Sequence, residues 1–176
     1  MKPTTFLLAA LLTITVTGGP VTATAEPGKL HVKGTFEVQV TPLEPDNPQA
    51  ETAGLMRMAL DKRFHGALDA TAQGEMMARG DGTDSGAYVA IEKVEGTLDG
   101  RRGSFALAHM GIMKGPTPVH WAVKIIPDSG TDELEGIEGE MTIIINEDGH
   151  HYELSYKLPK PHNPLPTNSP PNPSSL

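Results

Sequence analysis

The chain of 176 residues contains no cysteine. A disulfide framework, a thiolate nucleophile and any zinc or iron–sulfur site built on cysteine are therefore excluded. A lipid-modified cysteine at a processed N-terminus is excluded for the same reason. Any chemistry that this protein performs must use other side chains.

Clustered basic residues and long apolar runs are also missing. Lys and Arg number 14 against 22 Asp and Glu, and the formal net charge is −8. Because binding to nucleic-acid phosphates needs clustered Lys and Arg, we predict no nucleic-acid partner. The apolar run from Phe6 to Val16 covers about 11 residues, whereas a membrane-spanning helix needs about 20. We therefore expect no membrane span in the mature chain.

Several common functional motifs are absent as well. The sequence has no G-x-S-x-G, no H-E-x-x-H, no G-x-x-x-x-G-K-[ST] phosphate loop and no D-x-D-x-D-G calcium loop. We predict no cofactor and no metal site. The missing hydrolase signatures argue against an enzyme without excluding one, so that question stays open.

The two ends of the chain differ in composition from a folded core. Lys2, the apolar run and the small-x-small sequence Ala23-Thr24-Ala25 form the pattern of an export signal over residues 1–25. The protein is therefore predicted to be exported, to the periplasm or beyond. Residues 159–176 contain seven prolines, which predicts a disordered Pro-rich tail. This leaves residues 29–158 for one domain.

Alternating apolar and polar residues between these ends indicate about eight β-strands with short links. The clearest strand is His31 to Thr41, which alternates with period two. Residues 51–60 could form a helix or contain a strand over 55–60, and we interpret them as this strand because their surroundings are strand-like. Within the stretch 63–78, we expect Gly66 and Gly74 to mark bends or bulges. Further strands are predicted over 87–95, 104–113, 119–126, 139–145 and 150–158.

Links of hairpin length favour an up-and-down arrangement of these strands. We predict an all-β fold, a single antiparallel closed β-barrel of about eight strands with no major helix. The interior of such a barrel is either filled by side chains or holds one small ligand.

A series of motifs connects the sequence with a known family. In chain order they are Phe64-His65-Gly66, Tyr88-Val89-Ala90-Ile91-Glu92, Glu95-Gly96-Thr97-Leu98-Asp99-Gly100-Arg101, Gly103-Ser104-Phe105, His109-x-Gly111, the stretch PDSGTDELEG from Pro127 and Tyr152-x-Leu154-x-Tyr156. With these motifs the chain resembles the bacterial family catalogued as domain of unknown function 3224, over residues 31–158. The resemblance implies a barrel like that of allene oxide cyclase, a relative of the calycin-type barrels. It does not imply cyclase activity, and no catalytic position of that enzyme can be matched here. The export signal and the Pro-rich tail depart from the common pattern of the family and would place the function in the envelope or outside.

Two ionisable residues are candidates for catalysis. Glu92 shares strand parity with Tyr88 and Ala90, and His109 shares parity with Phe105. If these faces point inward, Glu92 is a buried carboxylate and His109 a buried imidazole, and either could act as a general base. Otherwise His109 is a structural histidine, and Glu92 is solvated or paired with a basic residue. The basic residues considered are Lys93, Arg101 and Lys124.

Four aromatic residues, Tyr88, Trp121, Tyr152 and Tyr156, could line a pocket for an apolar ligand or fill the core. Our leading hypothesis is an exported barrel that binds a small apolar or amphipathic molecule. An isomerase or cyclase of the allene oxide cyclase type, using an internal Glu and His, is the alternative from another class. A non-catalytic interaction protein of the envelope is the third hypothesis, and a homo-oligomer is compatible with all three.

Overall fold

The structure is a computed structural model that describes residues 28–44, 47–80, 85–115 and 117–159. The predicted export signal lies outside the described residues, and so does the predicted tail apart from Pro159. Among the described residues, no helix is long and apolar enough to cross a membrane.

Eight antiparallel strands form a closed barrel in which neighbours in sequence are neighbours in the sheet. The last strand pairs with the first, along Leu30–Phe36 and His150–Tyr156, and closes the barrel. This confirms the predicted eight-stranded barrel. In order, the strands are β1 (Leu30–Leu43), β2 (Met56–Gly66), β3 (Leu68–Arg79), β4 (Gly86–Leu98), β5 (Arg101–Lys114), β6 (Thr117–Ile125), β7 (Glu138–Asn146) and β8 (Gly149–Lys157).

Two helical turns interrupt the strands. Helix α1 (Pro48–Ala53) is not predicted by the sequence patterns, whereas the strand predicted over 55–60 is confirmed from Met56 onward as the first part of β2. The side chain of Asn47 accepts a hydrogen bond from the Ala50 amide at 2.8 Å, and Gly54 ends the helix in the left-handed conformation. Asn followed by Pro at the first helical position is a helix start signal. A short 3-10 helix (Asp132–Leu134) lies in the link between β6 and β7.

The glycines of the stretch 63–78 also act differently from the prediction. Gly66 has φ = +105° and ends β2, so residues 63–78 belong to two strands joined by a tight turn. Gly74 lies inside β3, where the register with β2 and β4 is continuous and no bulge occurs.

The two ends of the barrel differ. At one end the β2–β3 and β4–β5 turns meet the link that carries the 3-10 helix, and Leu68, Leu98 and Leu134 are fully buried there. We call this the closed end. At the other end, inward-facing positions such as Met56, Trp121 and Ile145 are 37–58% exposed. We call this the open end.

The pairing of β6 with β7 is the weak part of the barrel wall. These strands share one registered residue pair, Lys124 with Glu140. Toward the open end from this pair they diverge and leave a gap of about 280 Å³, lined on its inner side by Trp121, Val123, Met141 and Ile143. The Glu140 carboxylate pairs with the ammonium groups of Lys124 and Lys29 at the base of the gap.

Candidate functional site

The interior of the barrel contains a buried carboxylate, Glu92, on β4. Its side chain is fully enclosed and lies opposite Gly74 on β3. A methyl group at Gly74 would lie 2.6 Å from the Cα and Cβ atoms of Glu92. The glycine therefore lets the two strands approach closely at the level of the carboxylate.

Two buried donors bind one oxygen of this carboxylate. Lys62 Nζ on β2 lies 2.7 Å from Glu92 Oε1, and His109 Nε2 on β5 lies 2.9 Å from the same atom. The side chains of Lys62 and His109 are 6% and 4% exposed. Sharing one acceptor requires His109 to donate from Nε2. We refer to Lys62, Glu92 and His109 as the buried triad.

The second oxygen of the carboxylate has no such partner. Glu92 Oε2 is buried and accepts no hydrogen bond from any described residue. Buried polar atoms in proteins are almost always hydrogen-bonded, because an unpaired acceptor loses its hydration without compensation. Glu92 Oε2 is therefore an acceptor available to a donor inside the barrel.

Glu92 is ionised at neutral pH. Burial opposes its ionisation, but the hydrogen bond from His109, the charge of Lys62 and the remaining contacts with both residues outweigh burial and lower its pKa. With Lys62 as an ammonium, the charges of this ion pair cancel. Lys62 and His109 thus hold the Glu92 carboxylate in place through Oε1, and Oε2 has no partner among the described residues.

The structure brings Glu92 and His109 together on the inside of the barrel, and it corrects the suggested basic partners of Glu92. The ion-pair partner is Lys62, whereas Lys93 pairs with Glu95 on the outer wall. Sequence reasoning missed Lys62, although the alternation Leu60, Lys62, Phe64 places it on an apolar face. Neither the strand predicted over 55–60 nor the stretch 63–78 includes Lys62, which lies inside β2.

Two of the candidate aromatic residues meet above the buried triad, toward the open end. Tyr88 precedes Glu92 on the inner face of β4, and its ring lies over Gly111 on β5, where any larger residue would overlap it. Burial is the main reason that the pKa of Tyr88 is raised, and the Trp121 side chain on β6 opposes this shift. Tyr88 and Trp121 therefore lie near each other toward the open end.

A cavity of about 400 Å³ opens beside Tyr88 at the open end. Its wall combines the Tyr88 ring with four methionines from three strands, Met56, Met58, Met76 and Met113. Methionine side chains are flexible and polarisable and adapt to ligands of different shape. The cavity is thus a mostly apolar pocket at the open end. The buried triad does not line it and lies deeper along the barrel, where Glu92 follows Tyr88 on the inner face of β4.

The other two aromatic candidates lie toward the closed end. The Tyr152 hydroxyl accepts a hydrogen bond from the Leu68 amide at 3.0 Å and donates one to the His65 carbonyl at 3.2 Å. The Tyr156 hydroxyl donates to Asp99 Oδ2 at 2.6 Å. Burial raises the pKa of both tyrosines, and the bond to Asp99 adds to the effect at Tyr156. These contacts fasten the turns of the closed end, and neither tyrosine lines the cavity.

Comparisons with known proteins agree on one family. The family model described as "Protein of unknown function (DUF3224)" matches residues 32–156. A crystal structure of a protein with unknown function from the DUF3224 family of Shewanella oneidensis MR-1 is similar to this chain, with 41% sequence identity and a TM-score of 0.68. The match covers 75% of this chain and 99% of that one. No curated protein matches the chain.

Proposed function

The chain belongs to the DUF3224 family of proteins of unknown function, and from this premise we propose that its barrel binds one small amphipathic molecule through the open end. The apolar body of the ligand lies among the methionines of the cavity. Its polar head donates a hydrogen bond to Glu92.

The observation that carries this proposal is the unpartnered, buried Glu92 Oε2. The other oxygen of the carboxylate, Oε1, already accepts hydrogen bonds from Lys62 and His109. A ligand that donates to Oε2 would satisfy the one acceptor of the carboxylate that the protein leaves unused.

The charges of the buried triad select the kind of donor. Lys62 already neutralises Glu92 at 2.7 Å, so a cationic ligand head would bring a second positive charge into a buried site. Such a charge would lose its hydration without a counter-ion. A neutral hydroxyl group is therefore the donor that this site fits best.

The cavity fits the apolar part of such a molecule. Its volume of about 400 Å³ lies in the range of about 300–1,000 Å³ that is usual for small-molecule sites. Tyr88 lines the cavity and precedes Ala90 and Glu92 on the same face of β4. The head of the ligand would therefore reach Glu92 past the Tyr88 ring.

Calorimetric titration with two matched probes tests the proposal. Decan-1-ol carries a hydroxyl donor, whereas methyl nonyl ether has a similar length and only an acceptor. We expect the alcohol to bind at least tenfold more tightly, because a hydrogen bond to a charged group contributes about 1.5–3 kcal/mol. In Glu92→Gln this preference should fall below about threefold.

Two neighbouring methionines on β3 supply a matched control for the contact between the cavity and the apolar body of the ligand. Met76 lines the cavity, whereas Met77 points outward and is 41% exposed. Met76→Gln should weaken both probes, and Met77→Gln should weaken neither. Equal affinity for alcohol and ether would refute the role of Glu92. Failure of both probes to bind up to their solubility limits would refute a ligand-binding cavity.

A proton-transfer enzyme of the isomerase type is a second candidate, favoured by the 2.9 Å contact between His109 and Glu92 inside the barrel. Glu92 would remove a proton next to a carbonyl group and return it two carbons away, which balances without a co-reactant. The lowered pKa of Glu92 makes it a weak base, so we rank this function second. Cyclohex-3-enone is a simple probe. The enzyme hypothesis is supported if the wild type converts this probe to the conjugated enone and Glu92→Gln does not. It is refuted if the wild type converts the probe no faster than buffer alone.

We also propose that the protein acts outside the cytoplasm, on the basis of the signal pattern in residues 1–25. N-terminal sequencing of the protein made in a bacterial host should find Glu26 as the first residue. A chain that still begins at Met1 would refute the export proposal without affecting the cavity.

A further inference from the structure

On the part of the outer wall that the structure describes, exposed apolar side chains form a group on one side. Its large side chains are Met77 on β3, Val89 and Ile91 on β4, and Met110 and Ile112 on β5, each 41–62% exposed. We call these five residues the outer patch. Patches of this kind, with areas of about 300–600 Å², are often interaction sites.

The opposite side of the same wall shows that the outer patch is not a general property of the barrel. The outward positions of β1 from His31 to Gln39 are all polar. Lys33 forms an ion pair with Glu153 across this side, and the side chains of Glu37 and His65 are hydrogen-bonded. Among the described residues, exposed large apolar side chains on the outer face are grouped on β3, β4 and β5, whereas Leu43 on β1 and Ile144 on β7 stand singly.

The register of the strands arranges the outer positions in three rows across β3, β4, β5 and β6. The central row is Met77, Val89, Met110, Ala122. The row toward the closed end is Glu75, Ile91, Ala108, Lys124. The row toward the open end is Arg79, Ala87, Ile112, His120.

These rows complement themselves when they are reversed. In the row toward the closed end, reversal places Ile91 opposite Ala108 and Glu75 opposite Lys124. In the row toward the open end, it places Ala87 opposite Ile112. In the central row, reversal places Met77 opposite Ala122 and Val89 opposite Met110, so apolar residues meet apolar residues in all three rows. At the edges, Glu75, which Arg57 of the same chain binds, meets Lys124, and Arg79 meets His120.

We propose that the outer patch is the interface of a homodimer with a two-fold axis parallel to β4 and β5 and midway between them. This axis reverses each row, so β4 of one subunit packs on β5 of the other. Face-to-face sheets pack in this aligned way, with the strands within about 30° of each other. A two-fold interface uses the same surface on both subunits, as the self-complementary rows require.

The size of the outer patch sets the strength of the dimer. A stable interface of standard size buries about 800 Å² on each subunit, more than the about 300–600 Å² of the largest apolar patch on a typical monomer. We therefore expect a reversible dimer that dissociates on dilution. The row toward the open end shares Arg79 and Ala87 with the lining of the cavity, whereas none of the five residues of the outer patch lines it. A substitution in the outer patch therefore tests the dimer separately from the proposed ligand.

Sedimentation velocity of the full chain between 5 and 200 µM tests the interface. The mass should rise from 18.7 kDa toward twice this value with concentration. Val89→Glu should keep the protein monomeric at 200 µM, whereas Thr35→Glu on the polar side should sediment like the wild type. A wild-type protein that stays monomeric at 200 µM would refute the dimer. If such a monomer instead co-sediments with phosphatidylcholine vesicles, the outer patch binds lipid.

The absence of cysteine makes the position of the axis testable. A single introduced cysteine can form only an intermolecular disulfide. Under mild oxidation, a mixture of Ile91→Cys and Ala108→Cys should cross-link at least tenfold faster than either variant alone, because the two positions face each other across the axis. A mixture of Thr35→Cys and Ala108→Cys is the control. Equal rates in all mixtures would refute this axis even if the protein is a dimer.

Discussion

Removing the ammonium of Lys62 should destabilise the protein strongly, and removing Glu92 as well should restore most of the loss. Lys62→Met leaves the Glu92 carboxylate buried without its counter-ion, with His109 as its remaining hydrogen-bonding partner. Breaking a buried ion pair on one side costs about 3–5 kcal/mol. For a domain of this size, one kcal/mol shifts the melting temperature by about 3–5 °C. The single variant should therefore melt about 10–20 °C below the wild type.

The double variant Lys62→Met, Glu92→Leu replaces both ions by apolar groups of similar volume. Such replacements are often neutral or stabilising. In this barrel the Nε2 donor of His109 loses its acceptor, and an unsatisfied buried donor costs about 1–3 kcal/mol. The double variant should thus lose about 1–3 kcal/mol, far less than the sum of the two single variants.

Urea titration followed by far-UV circular dichroism measures these free energies of unfolding. The exposed pair Lys93–Glu95 is the matched control, since its 2.7 Å distance equals that of Lys62–Glu92 while both of its side chains are more than 60% exposed. Lys93→Met should cost less than about 1 kcal/mol. The reasoning fails if Lys62→Met costs no more than Lys93→Met. It also fails if the loss in the double variant equals the sum of the single losses.

Three further predictions follow from single contacts. The stability that ionised Glu92 contributes is present at neutral pH, above its ordinary pKa of 4.5, and is lost as the pH falls through its lowered folded-state pKa. The difference in unfolding free energy between wild type and Glu92→Gln should therefore shrink from pH 7 to pH 3, and a constant difference would count against an ion pair. Gly111→Ala should displace the Tyr88 ring, cost about 1–3 kcal/mol and shift the emission of Trp121, so an unchanged spectrum would contradict the packing. Tyr156→Phe removes the hydrogen bond to Asp99 and should cost about 1.5–3 kcal/mol in thermal unfolding, whereas an unchanged melting temperature would show that this bond adds nothing.

The architecture of the barrel could be predicted from the sequence because it depends on local signals. Alternation fixes which residues of a strand share a face, and short turns make consecutive strands pair. These two signals are enough for eight strands in sequential order. Helix α1 was missed because its six residues are too few for a periodic pattern, although its Asn-Pro start was readable.

The site could be predicted only in part, because alternation does not say which face points inward. On β4 the outward face carries Ala87, Val89 and Ile91, while the inward face carries Glu92. The usual rule that the more apolar face is buried therefore gives no answer for this strand. The pairing of Glu92 with Lys62 depends on the register of β2 through β4, which short-range patterns do not determine.

The single residue pair between β6 and β7 changes how the whole barrel should open and close. The sheet can be regarded as a strip that begins at β7, runs through β8 and β1, and ends at β6, with its two free edges meeting at Lys124 and Glu140. The first and last strands of the barrel are thus interior strands of this strip, since Leu30 pairs with Tyr156. Amide hydrogens along the facing edges of β6 and β7 should then exchange sooner than those of β1 and β8. A cut in the link between residues 127 and 136 would leave all the other strand pairings in place, so this barrel is a candidate for circular permutation between β6 and β7.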